Sequence, residues 1–203
     1  LRHPVGRTGL GGDIGYLKDL ERESLAFWES VGIDPIRITT DDGDFHTLRC
    51  YLRDEPVFLG SGGRIEVFRT ERALVAWLVR HGERGHDLAA MSTWPIVLEA
   101  ARNGELTVWV DTVNVYAIAG VHRDLLESER PDGHLLEQAG ELFLDAGSWA
   151  GDDAAERALH RGEPLGRLVA AVTDRREPAV LDGTEAAVWK RLVDGLTARF
   201  RVH

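Results

Sequence analysis

A single cysteine, two lysines and the lack of any long apolar run set the first limits on this chain of 203 residues. With Cys50 alone, a disulfide framework and a cysteine-based metal cluster are excluded. No apolar stretch approaches the roughly 18–20 residues of a membrane span, and the first residues do not read as a signal peptide. Membrane insertion is therefore not expected, and a cytoplasmic location is the default. Lys18 and Lys190 are the only lysines, so 22 of the 24 basic residues are arginine. Acidic residues outnumber them at 34, for a net charge of −10. That balance argues against nucleic acid or an anionic membrane as partner and favours basic segments.

What is present is the composition of an ordinary globular protein, 43% hydrophobic and 29% charged, long enough to bury a core without staples. The chain opens on Leu1 and not on Met, and residues 1–12, with Pro4 and four glycines, read as a flexible linker. The expectation is a single α+β domain over 13–203, the C-terminal part of a longer protein. Its β-rich part would span 33–120 and its helical part 121–203.

The longest β-like run is Glu105–Gly120, where Leu106, Val108 and Val110 alternate and the alternation resumes out of phase at Val113 and Val115. It reads as the central strand region, with a bulge or tight turn at Asp111–Thr112. A helix is expected over Ile14–Val31, ended by Gly32. Strand-like runs at 35–40 and 45–52 flank Asp41-Asp42-Gly43-Asp44, and those at 57–59 and 64–69 flank Gly60-Ser61-Gly62-Gly63. Thr70 is placed to cap a helix over 71–81, and Trp94-Pro95 to open another that Gly104 stops. Helical patterns then cover 122–129, 134–146, 152–161, 164–175 and 184–201, broken at Pro131, Gly151, Pro164, Pro178 and Gly183. The fold class is α+β: an antiparallel sheet of about five to six strands from the N-terminal half, covered by helices, with a largely helical C-terminal part.

Candidate chemistry is sparse. His81, Glu83, His86 and Asp87 fall within seven residues, but the glycines between the histidines indicate a turn and not one ligating face. His81 is more simply a cation at a helix C-terminus. Asp41–Asp44 lacks the later ligands of a calcium loop, and neither glycine-rich stretch has the frame of a phosphate cradle or of a nucleophile elbow around Ser61. Cys50 shares strand parity with His46, a weak thiol–imidazole hint against the commoner buried thiol. Asp152-Asp153 reads as a helix cap. No cofactor and no metal are expected, and no catalytic residue is assigned.

The six tryptophans are spread one per element and read as core anchors. The amphipathic helices after residue 121 carry more apolar side chains than one modest sheet can cover. Leu135, Leu136, Leu142, Phe143 and Leu144 nearly encircle their helix. An uncovered groove there would suit peptide ligands, with Leu135, Phe143, Leu144 and Trp149 as the candidate lining. Mutual packing of the helices accounts for the same pattern.

The run Trp77–Pro95, WLVRHGERGHDLAAMSTWP, followed by ELTVWVDTVNVYAIAGV at 105–121, resembles the SatS C-terminal domain family of mycobacterial protein-export chaperones. The resemblance covers all 203 residues and brings no short motif, so no position inherits a role from it. It implies a cytoplasmic, non-enzymatic chaperone that binds unfolded exported precursor proteins in hydrophobic grooves. Such a chaperone would keep its clients soluble for the accessory SecA export ATPase. No ATP site is apparent, so release would come from handing the client on. The competing readings are a small hydrolase or metal-dependent enzyme built on the His81–Asp87 cluster, or a scaffold domain for one folded partner.

Overall fold

The computed structural model describes residues 10–127, 131–174 and 183–203. Most of the expected linker, the end of the helix expected over 122–129, residue 175 and the break at Pro178 lie outside them. Helix α1 (Leu10–Val31) leads into strands β1 (Asp34–Thr40), β2 (Gly43–Leu52), β3 (Glu55–Phe58), β4 (Gly60–Ser61) and β5 (Arg64–Val67). Helices α2 (Glu71–His81) and α3 (Trp94–Arg102) follow, then β6 (Val115–Ala117). The remainder is α4 (Ile118–Glu127), α5 (Gly133–Ala150), α6 (Ala154–Leu159), α7 (Pro164–Thr173), α8 (Thr184–Thr197) and β7 (Phe200–Val202).

The α+β class holds, but the single antiparallel sheet of five to six strands is corrected to two smaller sheets. One has the order β3-β2-β1-β6 and the other β4-β5-β7. The hairpins pair antiparallel, whereas β6 runs parallel to β1 and β7 parallel to β5. Physics requires this: β6 and β7 reach their neighbours only after helical crossovers, and crossovers make parallel pairs. A bridge between His46 and Phe68 joins the two sheets.

Strand β2 organises the core. Residues Phe45 to Cys50 are all buried, because β2 is covered on both faces. Leu48 and Cys50 pack into a cluster with Trp28, Leu74, Leu78 and Trp94 from α1–α3. Phe45 faces the other way, into a cluster with Ile36, Ile38, Tyr116, Leu136, Phe143 and Trp189 beneath the C-terminal helices. The expected caps are in place: Thr70 Oγ1 accepts from the Ala73 amide at 3.1 Å, and Gly32 and Gly104 take positive φ.

Two expectations fail. Leu106–Val110 is not a central strand; among the described residues it pairs with no strand, and only Val115–Ala117 enters a sheet, at its edge. Side chains of α1 take the place of a neighbouring strand. The Thr107 carbonyl accepts from Ser24 Oγ at 2.8 Å and from Trp28 Nε1 at 2.9 Å, and the Trp109 amide donates to Ser24 Oγ at 3.1 Å. The slip at Asp111 is a tight turn, with the Asp111 carboxylate capping a short 3-10 helix at Thr112–Asn114. The last helix also stops at Thr197 instead of running to 201, because Phe200–Val202 pairs with Ile65–Val67.

Since Ser24 is buried and serves two backbone groups, Ser24→Ala should cost about 1–3 kcal/mol, the cost of leaving a buried amide unpaired. Trp28→Phe removes one of two donors to the same carbonyl and should cost about 1 kcal/mol. Urea denaturation reads both, and hydrogen exchange at the Trp109 amide should accelerate selectively in Ser24→Ala.

Candidate functional site

The C-terminal helices leave an opening in the surface. Helix α5 ends at Gly151, whose left-handed conformation (φ 68°) turns the chain sharply into α6. Pro164 starts α7 at a position where a missing N–H does no harm. Gly166 lets α7 approach the end of α6 closely, since a Cβ there would lie 1.9 Å from the His160 carbonyl oxygen. With α8 packed across both, the three helices enclose a mostly apolar cleft of about 750 Å3. Ala158, Pro164, Leu165, Val188 and Leu192 form its apolar wall; Arg157, His160, Glu163 and Arg191 stand among its polar lining.

A second cleft, about 560 Å3, opens between the β2–β3 turn, α5 and the start of α6. Asp54, Glu55, Asp145, Asp152, Asp153 and Glu156 line it together with Leu144. Asp153 and Glu156 line both clefts, so the two meet along the first turn of α6. Arg53 and Asp54 both take positive φ (54° and 67°), which folds the turn back tightly and carries Asp54 and Glu55 to this rim.

Beneath the acidic cleft lies a buried cation. The Arg49 guanidinium is 4% exposed, donates to Asp145 Oδ2 at 2.8 Å and lies over the rings of Tyr51 and Tyr116. Burial alone would lower its pKa, but Tyr116, Tyr51, Asp145 and Glu141 together outweigh it and raise it. Tyr51 donates to the same Asp145 oxygen at 2.5 Å. Burial, and in second place Arg49 pulling the other way, leaves the Tyr116 hydroxyl pushed up to about 12. This cluster ties β2 to α5 and is committed to structure.

The sequence-predicted groove residues all sit on α5 but do not line one cavity. Phe143 is in the core, edge-on to Trp189 at 5.0 Å, and Leu135 packs half-buried against the same cluster. Trp149 lies on Phe58 and donates to Asp87 Oδ2 at 3.0 Å. Leu144 alone is exposed, at 41%, on the wall of the acidic cleft. Sequence reasoning missed the α6–α8 cleft; the closely spaced breaks at Gly151 and Pro164 were its one visible signal.

The His81–Asp87 cluster does not converge. His86 is buried, with Nε2 at 3.0 Å from the Gly82 carbonyl, which also accepts from Trp94 Nε1 at 2.7 Å. Glu83 pairs with Arg102 and Asp87 accepts from Trp149, while His81 lies on the exposed end of α2. Among the described residues, no group of three or more His, Cys, Asp or Glu is arranged to hold a metal ion. Cys50 is buried and its thiol is pushed up to about 11, mainly by desolvation and then by Asp34. His46, four residues away and so about 13 Å along the strand, faces Glu71 instead. Of the expected Asp152-Asp153 cap, Asp152 accepts from the Ala154 amide at 2.9 Å, whereas Asp153, at the N-cap of α6, makes no side-chain capping bond.

Comparison with known proteins places these features in context. The family model described as the SatS C-terminal domain matches residues 33–201. A solved structure described as the SatS C-terminal domain in complex with bromine is 40% identical and superposes with a TM-score of 0.82. The match covers 87% of this chain and 97% of that one. No curated protein matches the chain.

Desolvation is the main cause holding the His86 imidazole below its ordinary value, offset in part by the Gly82 carbonyl, Asp87 and Glu66. Its Nδ1 is buried with no hydrogen-bond partner, so a second proton there meets no acceptor. The unfolded chain therefore takes up a proton at a higher pH than the folded chain. The stability this group contributes is complete above about pH 6.5 and is lost as pH falls below it. Urea midpoints should decline between pH 7.5 and 5. The decline should be shallower in His86→Gln, which keeps a donor for the Gly82 carbonyl; an equal slope in the variant would assign the effect elsewhere, His46 being the next candidate.

Proposed function

The chain belongs to the SatS C-terminal domain family, and from that premise we propose that it is a chaperone domain for protein export. It binds unfolded precursor proteins along the apolar cleft between α6, α7 and α8, keeps them soluble and passes them to an export motor, the accessory SecA ATPase. It works in the cytoplasm, makes and breaks no bond, and uses no nucleotide. The observation that carries this reading is the cleft itself: an apolar wall on three helices, with half-buried Ala158, Pro164 and Val188 at its surface and buried Leu165 and Leu192 behind them.

The energetics suit a holdase. A client segment that loses about 400 Å2 of apolar surface gains about 10 kcal/mol gross. Ordering an unfolded segment and losing its translational freedom offsets much of that gain. What remains is a modest, reversible affinity, appropriate to a carrier that must release its client. Because the wall is apolar and open, it selects for exposed hydrophobic side chains and not for one sequence. No helix among the described residues is long and apolar enough to cross a membrane, which fits a carrier that meets precursors before translocation.

Dilution of a denatured exported precursor into buffer should give light scattering that near-stoichiometric amounts of this domain suppress, equally with and without ATP. Scattering unchanged by the domain, across several precursors, would overturn the proposal. Ala158→Asp and Val188→Asp place a charge on the half-buried wall and should weaken client binding about tenfold or more. Far-UV circular dichroism should be retained, whereas Phe143→Asp should unfold the domain.

A further inference from the structure

The acidic cleft adjoins the apolar one, and three of its carboxylates have no cation to balance them. Asp145 pairs with Arg49, Asp152 with Arg199 and Asp153 with Arg157. Asp54, Glu55 and Glu156 have no ion-pair partner among the described residues; Glu55 only accepts from Ser148 Oγ at 3.5 Å. No basic side chain lines this cleft. Glu156 stands where the two clefts meet, so a chain leaving the apolar wall past α6 passes into negative potential.

We infer that the joined clefts form a two-part site for export signal segments, with the apolar stretch against α6–α8 and the preceding basic residues between Asp54, Glu55 and Glu156. The inference rests on the reading of the apolar cleft as the client site and names which client segment enters it. A signal segment has this layout: a short positively charged region followed by 7–15 apolar residues. Both halves lie side by side, because Asp153 and Glu156 belong to both walls. An apolar stretch from the interior of a mature protein would satisfy only one half. The net charge of −10 adds long-range attraction for the basic end and speeds encounter. The exposed position of Asp54, Glu55 and Glu156 leaves them hydrated, so the charge half selects among apolar segments while the apolar wall holds them.

Fluorescence anisotropy with two labelled peptides tests this: one apolar ten-residue core preceded by three arginines, and the same core preceded by three glutamines. At low salt the arginine peptide should bind about tenfold more tightly, and 300 mM salt should remove most of that margin. Asp54→Asn, Glu55→Gln and Glu156→Gln combined should abolish the margin and leave the glutamine peptide unaffected. Equal binding of the two peptides to the unaltered domain, or a margin that survives the triple substitution, overturns the two-part site and leaves the apolar cleft standing. Binding of neither peptide, with unfolded precursors also ignored, overturns the apolar cleft itself. Asp54, Glu55 and Glu156 are surface side chains, and a urea midpoint for the triple variant within error of the parent confirms that the comparison is made between folded proteins.

Discussion

Strand β2 is buried on both faces, and the rest of the architecture answers to that constraint. One face needs α1–α3, the other needs the C-terminal helices, and neither group of helices touches a common core except through the sheet. The strand even carries a guanidinium at its centre. Arg49 is tolerated there because Asp145 on α5 and two tyrosine rings surround it, and removing any of them would strand a charge away from water. The same ion pair fixes how α5 lies on the sheet, and α5 in turn sets where Gly151 releases the chain into α6.

The cleft is thus a by-product of order. A long helix clamped to the sheet is followed by two shorter helices packed against it, and α8, next in the chain, closes over them. The space they enclose is apolar because their inner faces were shaped for packing against one another. Where it meets the β2–β3 turn, the character of the lining changes from aliphatic to carboxylate within one helical turn. The histidine-rich loop, by contrast, is spent on holding α2 to α3: His86 and Trp94 share one carbonyl, and Asp87 fastens α5 across the gap.

What the sequence disclosed was local. The Thr70 cap, the Pro95 helix start and the Gly43 hairpin each depend on a few neighbouring residues, and each is where its residues indicated; the second hairpin turns later than expected, at Gly62-Gly63, with Gly60–Ser61 already in strand β4. The Arg53–Asp54 turn was not legible, since arginine is rarely recruited to a left-handed position and no glycine marks the turn. Leu106–Val110 has the alternation of a strand, but its backbone partners are a serine and a tryptophan some 80 positions earlier, a relation no periodicity records. Phe200 fits both the apolar stripe of α8 and a strand, and the vacancy beside β5 decided between them. Of the four groove residues named from the sequence, only Leu144 reaches an open wall, because apolar excess along a helix does not distinguish burial from display.

Both sheets end in very short strands. The outer members are β3 with four residues, β6 and β7 with three each, and β4 with two. Unpaired backbone along a long rim would offer extended polypeptide a template for co-assembly, the route by which sheets seed fibrils. A molecule whose proposed work is to keep company with unfolded chains is the one most exposed to that hazard. Its abbreviated rims leave visitors no ladder to extend, so contact is confined to side chains and can be let go.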